Sequence, residues 1–240
     1  MPWYLIIVRF DKATIKSIKG VFKKVFNKEE AYSKRKISTF ATDLLKNRHI
    51  DYLKQLSLMN KAFSHEFYRI KSVKDKYYSA FYDIYSQSFP IHEQRNVEQQ
   101  VMAFDSEDYH LVCLLEQDEI LSFIAYWDFN SYVYIEHLAV NHKMRGKNIG
   151  SETLSLFAHV IQKTIILEID PLIDEIALKR YRFYEKLGYI SNPYLHHHPA
   201  YNREYTPHKL VVLSYPNKLD QTQYNKFNND LRDIVMNLGD

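Results

Sequence analysis

The sequence predicts a mixed α/β fold, and three observations predict it. From residue 67 onward the apolar residues switch repeatedly between a helical period and a strand period, as in a sheet covered by helices. Turn and stop residues punctuate those runs: Pro90, Gln117-Asp118-Glu119, Asp170-Pro171 and Gly188. Charge also breaks along the chain. Residues 1–74 hold 17 Lys/Arg against 6 Asp/Glu, a net of +11, and the remainder holds 15 against 23, a net of −8. A basic, mainly helical extension over residues 1–65 and a larger domain over residues 66–240 are therefore expected.

Within the extension, Trp3 to Val8 is a short apolar run with strand character. Ile15, Ile18, Val21, Phe22, Val25 and Phe26 follow at spacings of 3 and 4, with lysines between them. That pattern predicts a basic amphipathic helix over residues 12–27, docked by its apolar stripe because screened surface charge is too weak to hold it. In the larger domain, Tyr68-Arg69-Ile70 reads as a strand. Asp75 to Ser88 and His92 to Phe104 read as helices. Three strands follow, His110 to Glu116, Ile120 to Asp128 and Tyr132 to Val140. A helix over Ile149 to Gln162 precedes the strand Thr164 to Ile169. Ile176 to Leu187 is a helix closed by Gly188, a usual C′ residue. Leu210 to Ser214 is the last strand. Leu219 to Leu238 reads as a polar helix on the outside.

Composition excludes several classes. Apolar residues make up 46% and charged residues 25%, which is ordinary for a globular chain rather than a disordered one. No apolar run reaches the length of about 20 residues that spans a bilayer, so a cytoplasmic protein is expected. The single cysteine, Cys113, forbids an intrachain disulfide and lies in an apolar run, where it reads as a small buried hydrophobe. Aromatics are abundant, with 20 Tyr and 14 Phe. That abundance fits either biased composition or an aromatic-lined site.

Residues 138–150 read Leu-Ala-Val-Asn-His-Lys-Met-Arg-Gly-Lys-Asn-Ile-Gly. A strand ends at Val140, a helix begins near Ile149, and a basic turn with glycines lies between. The N–H groups of a helix N-terminus and its partial positive charge favour a pyrophosphate. Gly146 and Gly150 allow a close backbone approach, and Arg145 and Lys147 add charge.

Ile135-Glu136-His137-Leu138-Ala139-Val140 followed by Arg145-Gly146-Lys147-Asn148-Ile149-Gly150 resembles motif A of the GNAT superfamily of N-acetyltransferases. Phe183-Tyr184-Glu185-Lys186-Leu187-Gly188-Tyr189 resembles motif B, 33 residues after Gly150. The resemblance covers residues from about 66 to 215. Two positions depart from the pattern. Asn148 stands where the family usually has Gly, and Asn tolerates left-handed backbone better than most residues. Ala177-Leu178-Lys179-Arg180 lacks the Asn often found early in the motif B helix.

The resemblance implies a mostly antiparallel central sheet and acetyl-CoA as co-substrate. It implies direct attack of a primary amine on the thioester. Leu138, Ala139 and Val140 would hold the pantetheine arm, and Arg145, Gly146, Lys147, Asn148, Ile149, Gly150 and Ser151 the pyrophosphate. Tyr184 would be the general acid for the leaving thiolate. Glu136 is the first candidate base, placed by strand alternation on one face with Tyr134 and Leu138. Glu168 is the second candidate. His137 should lie on the opposite face as a packed histidine. The segment Asn192 to Tyr201 falls at the acceptor loop, where His196 and His198 would line the substrate and offer alternative bases. His196-His197-His198 could also ligate a metal, but neighbours in an extended chain point apart, so no metal is expected.

Two other function classes stay open at this point. In one, the basic extension binds nucleic acid or a ribosome, which is possible but not favoured. In the other, the fold binds acyl-CoA without catalysis. The acceptor amine is unnamed, and nothing in the sequence separates a monomer from a dimer.

Overall fold

The computed structural model describes residues 65–202 and 204–237. The predicted extension, with its strand at residues 3–8 and its docked helix at 12–27, lies outside the described residues except for His65.

The chain runs β1 (Phe67–Ile70), α1 (Tyr78–Ser88), a 3-10 turn (Ile91–Glu93), α2 (Val97–Asp105), β2 (Tyr109–Glu116), β3 (Glu119–Asp128), β4 (Tyr132–Val140) and a second 3-10 turn (His142–Met144). It continues α3 (Ile149–Ile161), β5 (Thr164–Ile169), α4 (Glu175–Lys186), β6 (Ile190–Ser191), β7 (His196–His198), β8 (His208–Tyr215), α5 (Gln221–Asp230) and a π-helical turn (Leu231–Val235). The eight strands order as β1-β2-β3-β4-β5-β8-β6, with β7 also paired to β8. Every pairing is antiparallel except β4 with β5, so the sheet is mixed and mostly antiparallel, as expected.

Two predicted helix starts move, and capping explains both. The Asp75 carboxylate accepts the Tyr77 N–H at 2.9 Å, which spends residues 75–77 on a turn before α1. Asn96 caps α2 reciprocally with Gln99, so that helix starts at Val97 instead of His92. Strands β6 and β7 were not expected. Both are short; β7 sits in the stretch Asn192 to Tyr201 read from sequence as a loop, and β6 just before it.

The sheet buries a core on each face. One face carries Phe123, Trp127, Tyr134, Ile166 and Val212 beneath α1 and α5. The other carries Ile124, Val133, Ile135, Leu167 and Leu213 beneath α3 and α4. The expected outside position of the C-terminal helix is wrong. Tyr224, Phe227, Leu231 and Val235 recur at spacings of 3 and 4 and are buried against the first face. That stripe is narrow, and its polar neighbours mask it in a sum over the whole helix.

Strand β4 does two things that shape the cleft. Ala125 pairs with His137 and Tyr126 with Ile135, so Glu136 is an extra, bulged residue. Its parallel pairing with β5 ends at Ile135 and Leu167. Beyond that point the two strands part.

Candidate active site

The parting of β4 and β5 opens a cleft of 710 Å³. Residues 134–140 form one wall and Leu167 to Asp170 the other. Phe183 and Tyr184 of α4 and the side chains of His198, Tyr201 and His208 also line it. Leu138, Ala139 and Val140 therefore lie where a bound chain would meet a strand edge that β5 no longer covers.

At one end stands the basic turn. Arg145 lines the cleft, and Gly146 to Asn148 lead directly into α3. Gly146 has φ +79 with open space where a side chain would begin. Asn148 occupies left-handed backbone at φ 63, the geometry its substitution for Gly had to tolerate. Ile149, Gly150 and Ser151 form the first turn of α3, whose N–H groups have no helical partners. A Cβ on Gly150 would sit 3.3 Å from the Phe183 ring and 3.4 Å from Val140, so this glycine also allows α3, α4 and β4 to close on one another. The turn thus leaves open space and unpaired N–H groups next to Arg145, and Lys147 is a surface cation beside them, with Nζ 3.5 Å from the Met144 sulfur.

Tyr184 is buried at the cleft wall, packed on Phe183 and Tyr189. Burial pushes its phenol up to about 12, so it stays protonated and able to donate.

Glu136 lies on the Tyr134 side, as expected, but the bulge defeats simple alternation for its neighbours. His137 joins the same side against Tyr85 and Phe89, while Leu138 packs with the opposite core. The His137 Nε2–H donates to the Glu93 carbonyl at 2.9 Å, which makes it a packed histidine. The Glu136 carboxylate is fully enclosed. It accepts from Arg95 Nε at 2.8 Å, Trp127 Nε1 at 2.7 Å and the Tyr201 hydroxyl at 2.9 Å. Burial alone would raise its pKa, but Arg95, His137 and the Trp127 N–H outweigh burial and hold it at about 2. A carboxylate so occupied is a weak proton acceptor, which weighs against the base role expected of it.

Glu168 faces the cleft from β5. Tyr134 donates to its Oε2 at 2.5 Å, and His196 Nε2 donates to its Oε1. Burial raises its pKa and the histidines beside it lower it, with a net fall. Alternation along β7 turns His196 and His198 inward and His197 outward. His196 is fully buried behind Glu168 against Tyr224 and Phe227, so it does not line the cleft as expected. His198 does. Among the described residues, no group of three or more His, Cys, Asp or Glu is placed to hold a metal ion.

Arg95, Tyr134, Tyr201, His208, Glu93, Asp170 and Arg180 belong to this site and were not found from sequence. For Tyr134 a signal existed, since it shares a face with Glu136. Arg95 lies 41 residues from its partner Glu136 and had none.

The Acetyltransferase (GNAT) family model matches residues 74–189. No curated protein matches the sequence. Among solved structures, a Bacteroides thetaiotaomicron protein described as a GNAT-family acetyltransferase superposes with a TM-score of 0.67 at 26% identity. That match covers 71% of this chain and 98% of the other. The ribosomal-protein-S18-alanine N-acetyltransferase of Escherichia coli is more distant, at 13% identity and a TM-score of 0.48 over 65% of this chain and 96% of its own. An aminoglycoside 6′-N-acetyltransferase complexed with coenzyme A gives 17% identity and 0.45 over 62% and 95%. The match from the first helix through motif B, on the expected sheet, identifies residues 74–189 as a GNAT acetyltransferase domain.

Proposed function

We propose that this domain transfers an acetyl group from acetyl-CoA to a primary amine by direct attack of the amine on the thioester. The observation that carries the reading is the separation of β4 from β5 after Ile135 and Leu167, with a left-handed basic turn and a helix N-terminus at one end of the gap. The residues fit coenzyme A on their own chemistry. Gly146 leaves open space at the turn, Arg145 brings a cation, and the first turn of α3 offers N–H groups to a pyrophosphate. The bare edge of β4 at Leu138 to Val140 suits main-chain pairing with a pantetheine amide. Its N–H groups would also stabilise negative charge on the thioester oxygen as the amine attacks. Tyr184 would give its phenolic proton to the departing sulfur.

The deciding experiment is a panel of amines with acetyl-CoA, followed by release of free thiol. Amine-dependent thiol release at least tenfold above the amine-free rate is the expected result. Tight CoA binding with no amine-dependent release would favour an acyl-CoA-binding fold without transfer, and no CoA binding would remove both readings.

A further inference from the structure

We propose that His198 is the base that deprotonates the acceptor, with Nε2 as the accepting atom, and that Glu168 and His196 are positioning residues behind it. This rests on the acetyl-transfer reading above. His198 Nδ1 lies 2.6 Å from the Pro199 carbonyl oxygen, which can only accept. Nδ1 must therefore carry the hydrogen, and in the neutral ring Nε2 is left as a lone pair. His198 lines the cleft, and its Nε2 lies 3.8 Å from Glu168 Oε2. That is too long for a hydrogen bond but close enough for the carboxylate to stabilise an imidazolium.

Glu168 is the weaker candidate by the same reasoning. Each of its oxygens already takes a strong donor, Tyr134 on Oε2 and His196 on Oε1. Those bonds hold it ionised and fixed, which suits a counter-ion. His196 is held in turn by the Tyr224 hydroxyl, 3.0 Å from its Nδ1. The other titratable groups facing His198 are His208 and Tyr201, whose rings lie 5.4 and 5.3 Å away, with Glu93 and His137 beyond. Burial, then His198 itself, lowers the pKa of His208, so near neutral pH His208 adds little repulsion to a charged His198.

The step balances as follows. The acceptor ammonium gives one proton to His198 Nε2, and the freed nitrogen pair attacks the thioester carbon. A C–N bond forms and the C–S bond breaks. The second proton shed by nitrogen as the amide forms balances the proton that Tyr184 gives to sulfur. His198 passes the remaining proton to water.

The test uses His198→Ala in the full chain, with CoA affinity by calorimetry and turnover by thiol release. CoA affinity should be unchanged, while kcat/KM for the amine at neutral pH falls about 10²-fold or more. The deficit should narrow as pH rises and the amine loses its proton in solution, and added imidazole should restore part of the rate. Glu168→Gln should also slow turnover without weakening CoA binding. Nitrogen-15 NMR of the parent should show His198 as the Nδ1–H form. A folded His198→Ala protein within about threefold of parent activity, a deficit independent of both pH and imidazole, or an Nε2–H form would each overturn the assignment. An inactive parent would instead overturn the transfer reading, and this role with it.

Discussion

At the residue scale, the enclosed pair of Arg95 and Glu136 carries two predictions that share one cause. Glu136→Gln leaves a buried guanidinium without its counter-charge, and breaking such a pair costs about 3–5 kcal/mol. Urea melts should show a loss of that size at neutral pH. In the parent, the folded pKa of about 2 lies below the ordinary 4.5. The folded state therefore binds fewer protons than the unfolded chain between those values. The stability from Glu136 is complete above about 4.5 and drains away as pH falls through 2. Tyr184→Phe, by contrast, should leave both CoA affinity and the melting midpoint near parent values while turnover falls by about 10²-fold. Unaltered turnover across the pH range would reduce Tyr184 to a packing residue. The difference in legibility between these residues is physical. Tyr184 sits in a contiguous stretch that resembles motif B and ends at Gly188, so its place on the cleft wall could be expected from that resemblance. The state of Glu136 depends on Arg95 and Tyr201, which only the folded chain brings to it.

At the element scale, the basic turn and the bulged strand contrast in the same way. The turn was legible because positive φ selects residue type locally: Gly146 and Asn148 are the residues that tolerate it. Arg145→Ala should weaken CoA binding by about 1.5–3 kcal/mol, the worth of a hydrogen bond to a charged group. Calorimetry showing unchanged affinity would remove Arg145 from the anion site. Gly150 is a poorer test position, because any side chain there also meets Phe183 and Val140. The bulge at Glu136 was not legible. Strand alternation is a period-2 rule, and one inserted residue carries no composition signal, yet it sends Leu138 to the opposite face from the one expected. Likewise β6 and β7 owe their strand form to pairing with β8, not to their own sequences.

At the scale of the whole domain, the sheet has no complete first face without α5 and the turn after it. Phe227, Leu231 and Val235 are all but fully buried there, at roughly 1.5–3 kcal/mol each. Their sum approaches the 5–15 kcal/mol by which an ordinary domain is stable. A chain ending at Lys218 should therefore lose its cooperative thermal transition; a retained transition near the parent midpoint would show that face 1 closes without the segment. Arg95 adds a link from this segment to the cleft, since its Nη2 donates to the Val235 carbonyl at 2.7 Å while its Nε holds Glu136. The mixed α/β order of the main elements was readable from alternating periodicity, and the mostly antiparallel sheet from the motif resemblance. The inward role of the last helix was not, because four apolar residues among polar ones average to a polar helix.

The indole of Trp127 has a use that its hydrogen bond to Glu136 creates. The chain holds two tryptophans, and the other is Trp3. Trp127 is buried, with an ionised carboxylate 2.7 Å from its nitrogen and the Arg95 guanidinium 5.6 Å from its ring. An excited indole is a large dipole, so charges fixed this near set its emission colour. In a Trp3→Phe protein the whole tryptophan signal would come from one ring that shares the Glu136 carboxylate with the cleft wall. Titrating such a protein with CoA, then with candidate amines, should give separate spectral changes for the two ligands without any attached dye. A spectrum indifferent to both would mean that neither ligand disturbs the charges around Glu136.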